Sequence, residues 1–152
     1  MAVDVGDEAP GFALKDQHGA VVRLAGLRGK RVLLVFYPFA FSPVCHGELR
    51  AINDEIVIPG PSDVQVLAVS VDSMFVHRAW ADQEGFTFPL LSDFWPHGEV
   101  ARTYGVFDDE RGLALRGTFL IDGEGVVRWK VVNPVPSARD ISEYHKVLAE
   151  IS

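Results

Sequence analysis

Val32-Leu33-Leu34-Val35-Phe36-Tyr37-Pro38-Phe39-Ala40-Phe41-Ser42-Pro43-Val44-Cys45 is the stretch whose reading decides the architecture. Its first six residues are continuously apolar and partly β-branched, the mark of a strand buried on both faces. A loop follows from Pro38 to Phe41. Ser42 is a favoured N-cap, and Pro43 falls at the first helical position, where its missing N–H costs nothing. The stretch therefore predicts a central strand, a short loop and a helix with Cys45 as its third residue.

Outward from this centre the pattern alternates. Upstream, Phe12–Leu14 and Val21–Leu24 flank Asp16-Gln17-His18-Gly19 and predict an N-terminal β-hairpin. Downstream, Val64–Val71 is a second buried strand. Ser73 then caps a helix reaching about Glu84, with Met74, Val76, Ala79 and Trp80 as its apolar positions. Phe88–Leu91 is a short strand and His97–Tyr104 a short helix. Thr118–Ile121 and Val126–Val132 flank Asp122-Gly123-Glu124-Gly125, a hairpin turn. From about Ala138, residues Ile141, Tyr144, Val147, Leu148 and Ile151 repeat at helical spacing. Buried strands alternating with helices, then a hairpin and a closing helix, predict a mixed central sheet with helices on both faces. A thioredoxin-like arrangement satisfies that order, although periodicity does not single it out. With no repeat, low-complexity tract or Gly/Ser linker, residues 1–152 are expected to form one α/β domain.

Composition narrows the function classes. A net charge of −7 argues against nucleic acid as a partner. The longest apolar run, Val32–Tyr37, is far short of the ~20 residues of a membrane span. Residues 1–7 lack the basic and apolar regions of a signal peptide, and the single cysteine excludes an intrachain disulfide. Together these predict a protein of the reducing cytoplasm.

Cys45 is the candidate for chemistry. At the third helical position its sulfur can receive N–H groups that have no partner inside the helix, and the helix dipole favours negative charge there. Both effects stabilise the nucleophilic thiolate. The alternative is a small buried hydrophobe with no chemistry, as most lone cysteines are. The five histidines lack metal-ligand spacing, so no metal and no cofactor are expected. His46 adjoins Cys45 but points elsewhere on a helix, and a cysteine hydrolase using His77 or His97 is an alternative chemistry. Gly26-Leu27-Arg28-Gly29-Lys30 has the wrong spacing for a phosphate loop. Phe39 and Phe41 beside the cysteine are read first as ordinary packing. An apolar collar for organic hydroperoxides and a subunit interface are the other readings.

Pro38, Ser42 and Cys45 resemble the peroxiredoxin pattern Pro-x-x-x-Thr/Ser-x-x-Cys, and Glu48 fits its common extension. Arg116, in Leu115-Arg116-Gly117-Thr118-Phe119, stands where that family places an arginine. Gly6–Phe12 and Phe88–Asp93 also resemble it, while Phe94–Gly98 and Tyr104–Phe107 are similar to its one-cysteine AhpE-like subgroup. The resemblance implies a thioredoxin-like peroxidase acting on hydrogen peroxide, organic hydroperoxides and peroxynitrite, without ranking them. It implies Cys45 as nucleophile, Arg116 holding the thiolate and polarising the peroxide, the Ser42 hydroxyl and Cys45 N–H binding peroxide oxygens, and Pro38 as a shield. Glu48 is a candidate partner for an arginine. With no resolving cysteine, the sulfenic acid on Cys45 needs an external thiol. That reductant is expected to be mycothiol with a mycoredoxin, or another glutaredoxin- or thioredoxin-type protein, and the chain a homodimer or higher homo-oligomer. Rival readings are a redox sensor without turnover and an inert domain.

Overall fold

The computed structural model describes residues 3–60, 63–133 and 139–151. Strands β1 (Ala13–Lys15) and β2 (Val21–Arg23) form the N-terminal hairpin, closed by Asp16, whose carboxylate accepts the His18 and Ala20 N–H groups. A 3-10 turn leads into β3 (Arg31–Phe36), which is followed by α1 (Pro43–Ile52) and a π-helical turn over Asn53–Val57. Then come β4 (Val64–Ser70), α2 (Met74–Glu84), β5 (Leu90–Ser92) and α3 (Glu99–Thr103). A small hairpin, β6 (Phe107–Asp108) and β7 (Leu113–Ala114), precedes β8 (Arg116–Ile121), β9 (Val127–Asn133) and α4 (Ile141–Glu150).

Seven strands form one mixed sheet in the order β2-β1-β5-β4-β3-β8-β9. The β3–β4 and β4–β5 pairs are parallel, and β8 lies antiparallel to both β3 and β9. This is the thioredoxin-like arrangement with the N-terminal hairpin added at one edge.

Strand parity divides the core. Leu33, Val35 and Tyr37 face Cys45, Leu49 and Ile52 of α1, Trp80 and Ala81 of α2, and Tyr144 and Val147 of α4. Val32, Leu34 and Phe36 face the opposite layer, with Val3, Ala9, and Val100 and Ala101 of α3. An unbroken apolar run was therefore required, because each residue of β3 is covered whichever way it points.

Some elements differ from the sequence reading. The buried stripe of α2 is His77, Trp80 and Ala81, whereas Val76 and Ala79 are exposed. The imidazole qualifies for burial because Ser70 hydrogen-bonds it. The β5 strand begins at Leu90, after Pro89, and α3 spans five residues only. The β6–β7 hairpin was not expected; Asp108 closes it by accepting the Glu110 and Arg111 N–H groups. The expected helix start at Ala138 lies outside the described residues. Among the described residues no helix is long and apolar enough to cross a membrane.

Candidate active site

Cys45 is the third residue of α1 and is fully buried. Ser42 occupies the N-cap position with extended backbone, and its carbonyl accepts the His46 N–H at 2.8 Å. Its side chain makes no capping bond, so the hydroxyl is not committed to the helix. Pro38 is buried in the loop leading to the helix, while Phe39 and Phe41 are 46% and 48% exposed. Phe41 has φ +67°, an uncommon conformation for a bulky residue, and its ring lies 6.0 Å from that of Trp80.

Arg116 reaches the sulfur because of strand register. The antiparallel β3–β8 pairing sets Val35 opposite Thr118. Two residues earlier in β8, Arg116 has the same parity as Thr118 and Leu120 and therefore points to the α1 layer. Its Nη1 donates to Cys45 Sγ at 3.3 Å, and the same amino group donates to Glu48 Oε1. Glu48 Oε2 accepts the Arg139 backbone N–H at 2.7 Å, and Arg139 Nη1 lies 3.5 Å from Glu48 Oε1. The Arg139 guanidinium also donates from Nη2 to the Phe36 carbonyl. The Arg116, Glu48 and Arg139 side chains are only 2%, 4% and 2% exposed.

Buried charges persist when they are paired. Among the described residues, the Arg116 and Arg139 guanidinium groups face the one carboxylate of Glu48. Cys45, Arg116 and Glu48 are thus brought together at the first turns of α1, Ser42 stands at its N-cap, and Pro38 lies in the loop that leads to it. Arg139 was missed by the sequence reading. It precedes α4, 91 residues from Glu48, and no local motif marks it.

Behind the cysteine, Tyr37 is fully buried with its ring 5.7 Å from Trp80 and 6.1 Å from His77. Burial pushes its phenol well above the ordinary tyrosine range. His46 bonds Glu84 at 2.6 Å, and His97 donates to the Gly112 carbonyl at 2.7 Å. His77 bonds Ser70 Oγ at 2.7 Å, so these recorded histidine bonds run to groups other than the sulfur. Among the described residues, no group of three or more His, Cys, Asp or Glu side chains is placed to hold a metal ion.

Burial lowers the His77 pKa from 6.5 to about 4, the nearby Asp72 opposing the shift. Between those values the unfolded chain binds a proton that the folded chain does not, so stability is full above pH 6.5 and falls as pH drops toward 4. The loss across this window is expected to be about 3 kcal/mol. Thermal melts from pH 7 to pH 4 check it, with His77→Gln flattening the profile; a parallel profile in that variant would assign the acid sensitivity to other groups.

Residues 5–130 match the AhpC/TSA family. Alkyl hydroperoxide reductase E of Mycobacterium tuberculosis is 45% identical over 151 residues, covering 99% of each chain. Among solved structures, AhpC of Enterococcus faecalis superposes with a TM-score of 0.88 at 30% identity, covering 99% of this chain and 92% of that one. A reduced 2-Cys peroxiredoxin of Plasmodium vivax superposes with a TM-score of 0.85 at 31% identity, over 97% of this chain and 81% of that one.

Proposed function

The chain belongs to the AhpC/TSA family of peroxiredoxins, which are thiol-dependent peroxidases, and we propose that Cys45 carries the reaction in a one-cysteine cycle. The observation that carries this reading is the Arg116 guanidinium donating to Cys45 Sγ, 3.3 Å away, at the first turn of α1. In the first step the Cys45 thiolate attacks one peroxide oxygen. The S–O bond forms as the O–O bond breaks, and the second oxygen leaves as hydroxide or alkoxide and takes up a proton.

Each neighbour has a role in that displacement. Arg116 holds the sulfur and polarises the peroxide, and a planar, always charged group suits several acceptors at once. The Ser42 hydroxyl and the Cys45 N–H bind the peroxide oxygens. Pro38 covers the sulfur with a group that offers no donor of its own. Glu48 orients Arg116, and Arg139 fixes Glu48 from its other oxygen.

The product is a Cys45 sulfenic acid. A first external thiol attacks it, releases water and leaves a mixed disulfide; a second thiol then frees Cys45. The chain has one cysteine, so both thiols come from elsewhere. We assign these steps to mycothiol and a mycoredoxin, with another glutaredoxin- or thioredoxin-type protein as the alternative, on the strength of the similarity to alkyl hydroperoxide reductase E. A cytoplasmic homodimer or higher homo-oligomer of single-domain chains completes the reading.

The test is a titration. One equivalent of hydroperoxide should reduce the count of titratable thiols from one per chain to none, and mycothiol with mycoredoxin should restore it with continued peroxide consumption. A thiol still titratable after peroxide treatment overturns the cycle. Restoration by thioredoxin alone would reassign the reductant.

A further inference from the structure

A hydrogen-bonded chain of Asp72, Ser70 and His77 lies against the loop from Pro38 to Phe41. Because β3 and β4 run parallel, with Phe36 opposite Val69, the carboxyl ends of both strands emerge at the same side of the sheet. The loop leaves from one end and Asp72 from the other. Asp72 Oδ2 accepts the Ala40 N–H at 2.8 Å and the Ser70 hydroxyl at 2.6 Å. Ser70 has only one proton to give, and the carboxylate takes it. His77, 2.7 Å from Ser70 Oγ, therefore presents Nε2–H and fills an acceptor site of the serine. Asp72 is held at its main chain too, since its carbonyl accepts the Ser92 hydroxyl at 2.7 Å and its N–H donates to Ser70 Oγ at 3.2 Å.

The loop needs such a hold. Phe41 keeps φ at +67°, a conformation that persists only where surrounding contacts impose it. Pro38 has no N–H with which to tie itself to the sheet. The Ala40 N–H to Asp72 is a tether placed between these two residues, and Ser42 follows directly.

We infer that Asp72 is a positioning residue for peroxide reduction: through Ala40 it fixes the loop that carries Pro38 and leads to Ser42, and Ser70 and His77 orient its carboxylate. The inference rests on the assignment of Cys45, Pro38 and Ser42 proposed above. Asp72 touches no reacting atom. A purely structural network would satisfy buried polar groups and stabilise the fold, without discriminating between two reactions of the same sulfur.

The experiment therefore compares two reactions of the full chain. Stopped-flow fluorescence gives the rate constant for Cys45 oxidation by hydroperoxide, and iodoacetamide alkylation at the same pH reports the same sulfur without needing a bound peroxide. Asp72→Ala is expected to slow oxidation roughly 10-fold or more, the scale of a small misplacement in a reacting site, with alkylation unchanged or faster. Asp72→Asn keeps an oxygen that can accept from Ala40 and is expected to recover most of that loss. Wild-type oxidation in Asp72→Ala, or a parallel fall of both reactions, overturns the inference, as does Asp72→Asn failing to recover. Should Asp72→Ala not fold, Ser70→Ala decides: it should slow oxidation by roughly 3-fold or more with alkylation unaffected, and equal rates overturn the tether. Peroxide turnover in Cys45→Ser would instead defeat the site assignment itself.

Discussion

Replacing Cys45 with serine is expected to abolish peroxide turnover, lowering the rate by ~10⁴-fold or more, as removal of a catalytic nucleophile does. The serine hydroxyl is a near-neighbour in size, and the Arg116 Nη1 that reaches Sγ can donate to it. The fold should therefore survive, at a cost of about 1 kcal/mol, because the introduced polar atom has a partner. What disappears is the reaction. A serine hydroxyl ionises far above neutral pH, whereas the displacement needs an anionic, polarisable atom to attack an O–O bond. Steady-state peroxide consumption with excess reductant, beside a thermal melt, separates loss of chemistry from loss of fold. Activity above a few per cent of wild type would mean that the peroxide is consumed without Cys45.

How much of this could be read in advance depends on the range of the interaction. The strand at Val32–Tyr37 was legible because burial on both faces leaves a local trace, an unbroken apolar run. The Asp122–Gly125 turn was legible because its Asp122 carboxylate accepts the Glu124 and Val126 N–H groups within the same few residues. The helix start at Ser42-Pro43 was legible too, yet the Ser42 side chain makes no capping bond. Residue type announces a cap position without saying what the hydroxyl will bind. Arg116 could be singled out by resemblance, but its direction follows from the β3–β8 register, which pairs residues far apart in the chain.

Arg139 and Asp72 left no such trace. Each makes its decisive contact across tens of residues, Arg139 to Glu48 and Asp72 to Ala40, and each sits in a connection rather than in a periodic element. His77 was considered only for hydrolase chemistry and not as part of the buried stripe of α2. A helical stripe is sought among apolar residues, and a buried imidazole enters it only when a neighbour, here Ser70 at the end of β4, bonds its nitrogen.

Replacing Arg116 with leucine is expected to slow Cys45 oxidation by ~10²–10³-fold, the scale of losing one preorganised donor at a site of developing charge. The geometry makes the loss double. One amino group of Arg116 serves both Cys45 Sγ and Glu48 Oε1, so the substitution frees the sulfur and unpairs half of a buried carboxylate. Removing one partner of a buried ion pair costs about 3–5 kcal/mol, and Arg139, still on Glu48, should keep the loss at the lower end. Arg116→Lys should not rescue the rate, because a single ammonium lacks the planar fork that reaches several acceptors. Glu48→Gln beside Arg116→Leu takes the carboxylate from the buried Arg139 as well, so the double variant should melt no higher than Arg116→Leu. Its oxidation rate should stay as low as that of Arg116→Leu. Oxidation of folded Arg116→Leu at the wild-type rate would mean that Arg116 serves the fold alone; slow oxidation by a variant still folded at the assay temperature places its charge in the reaction.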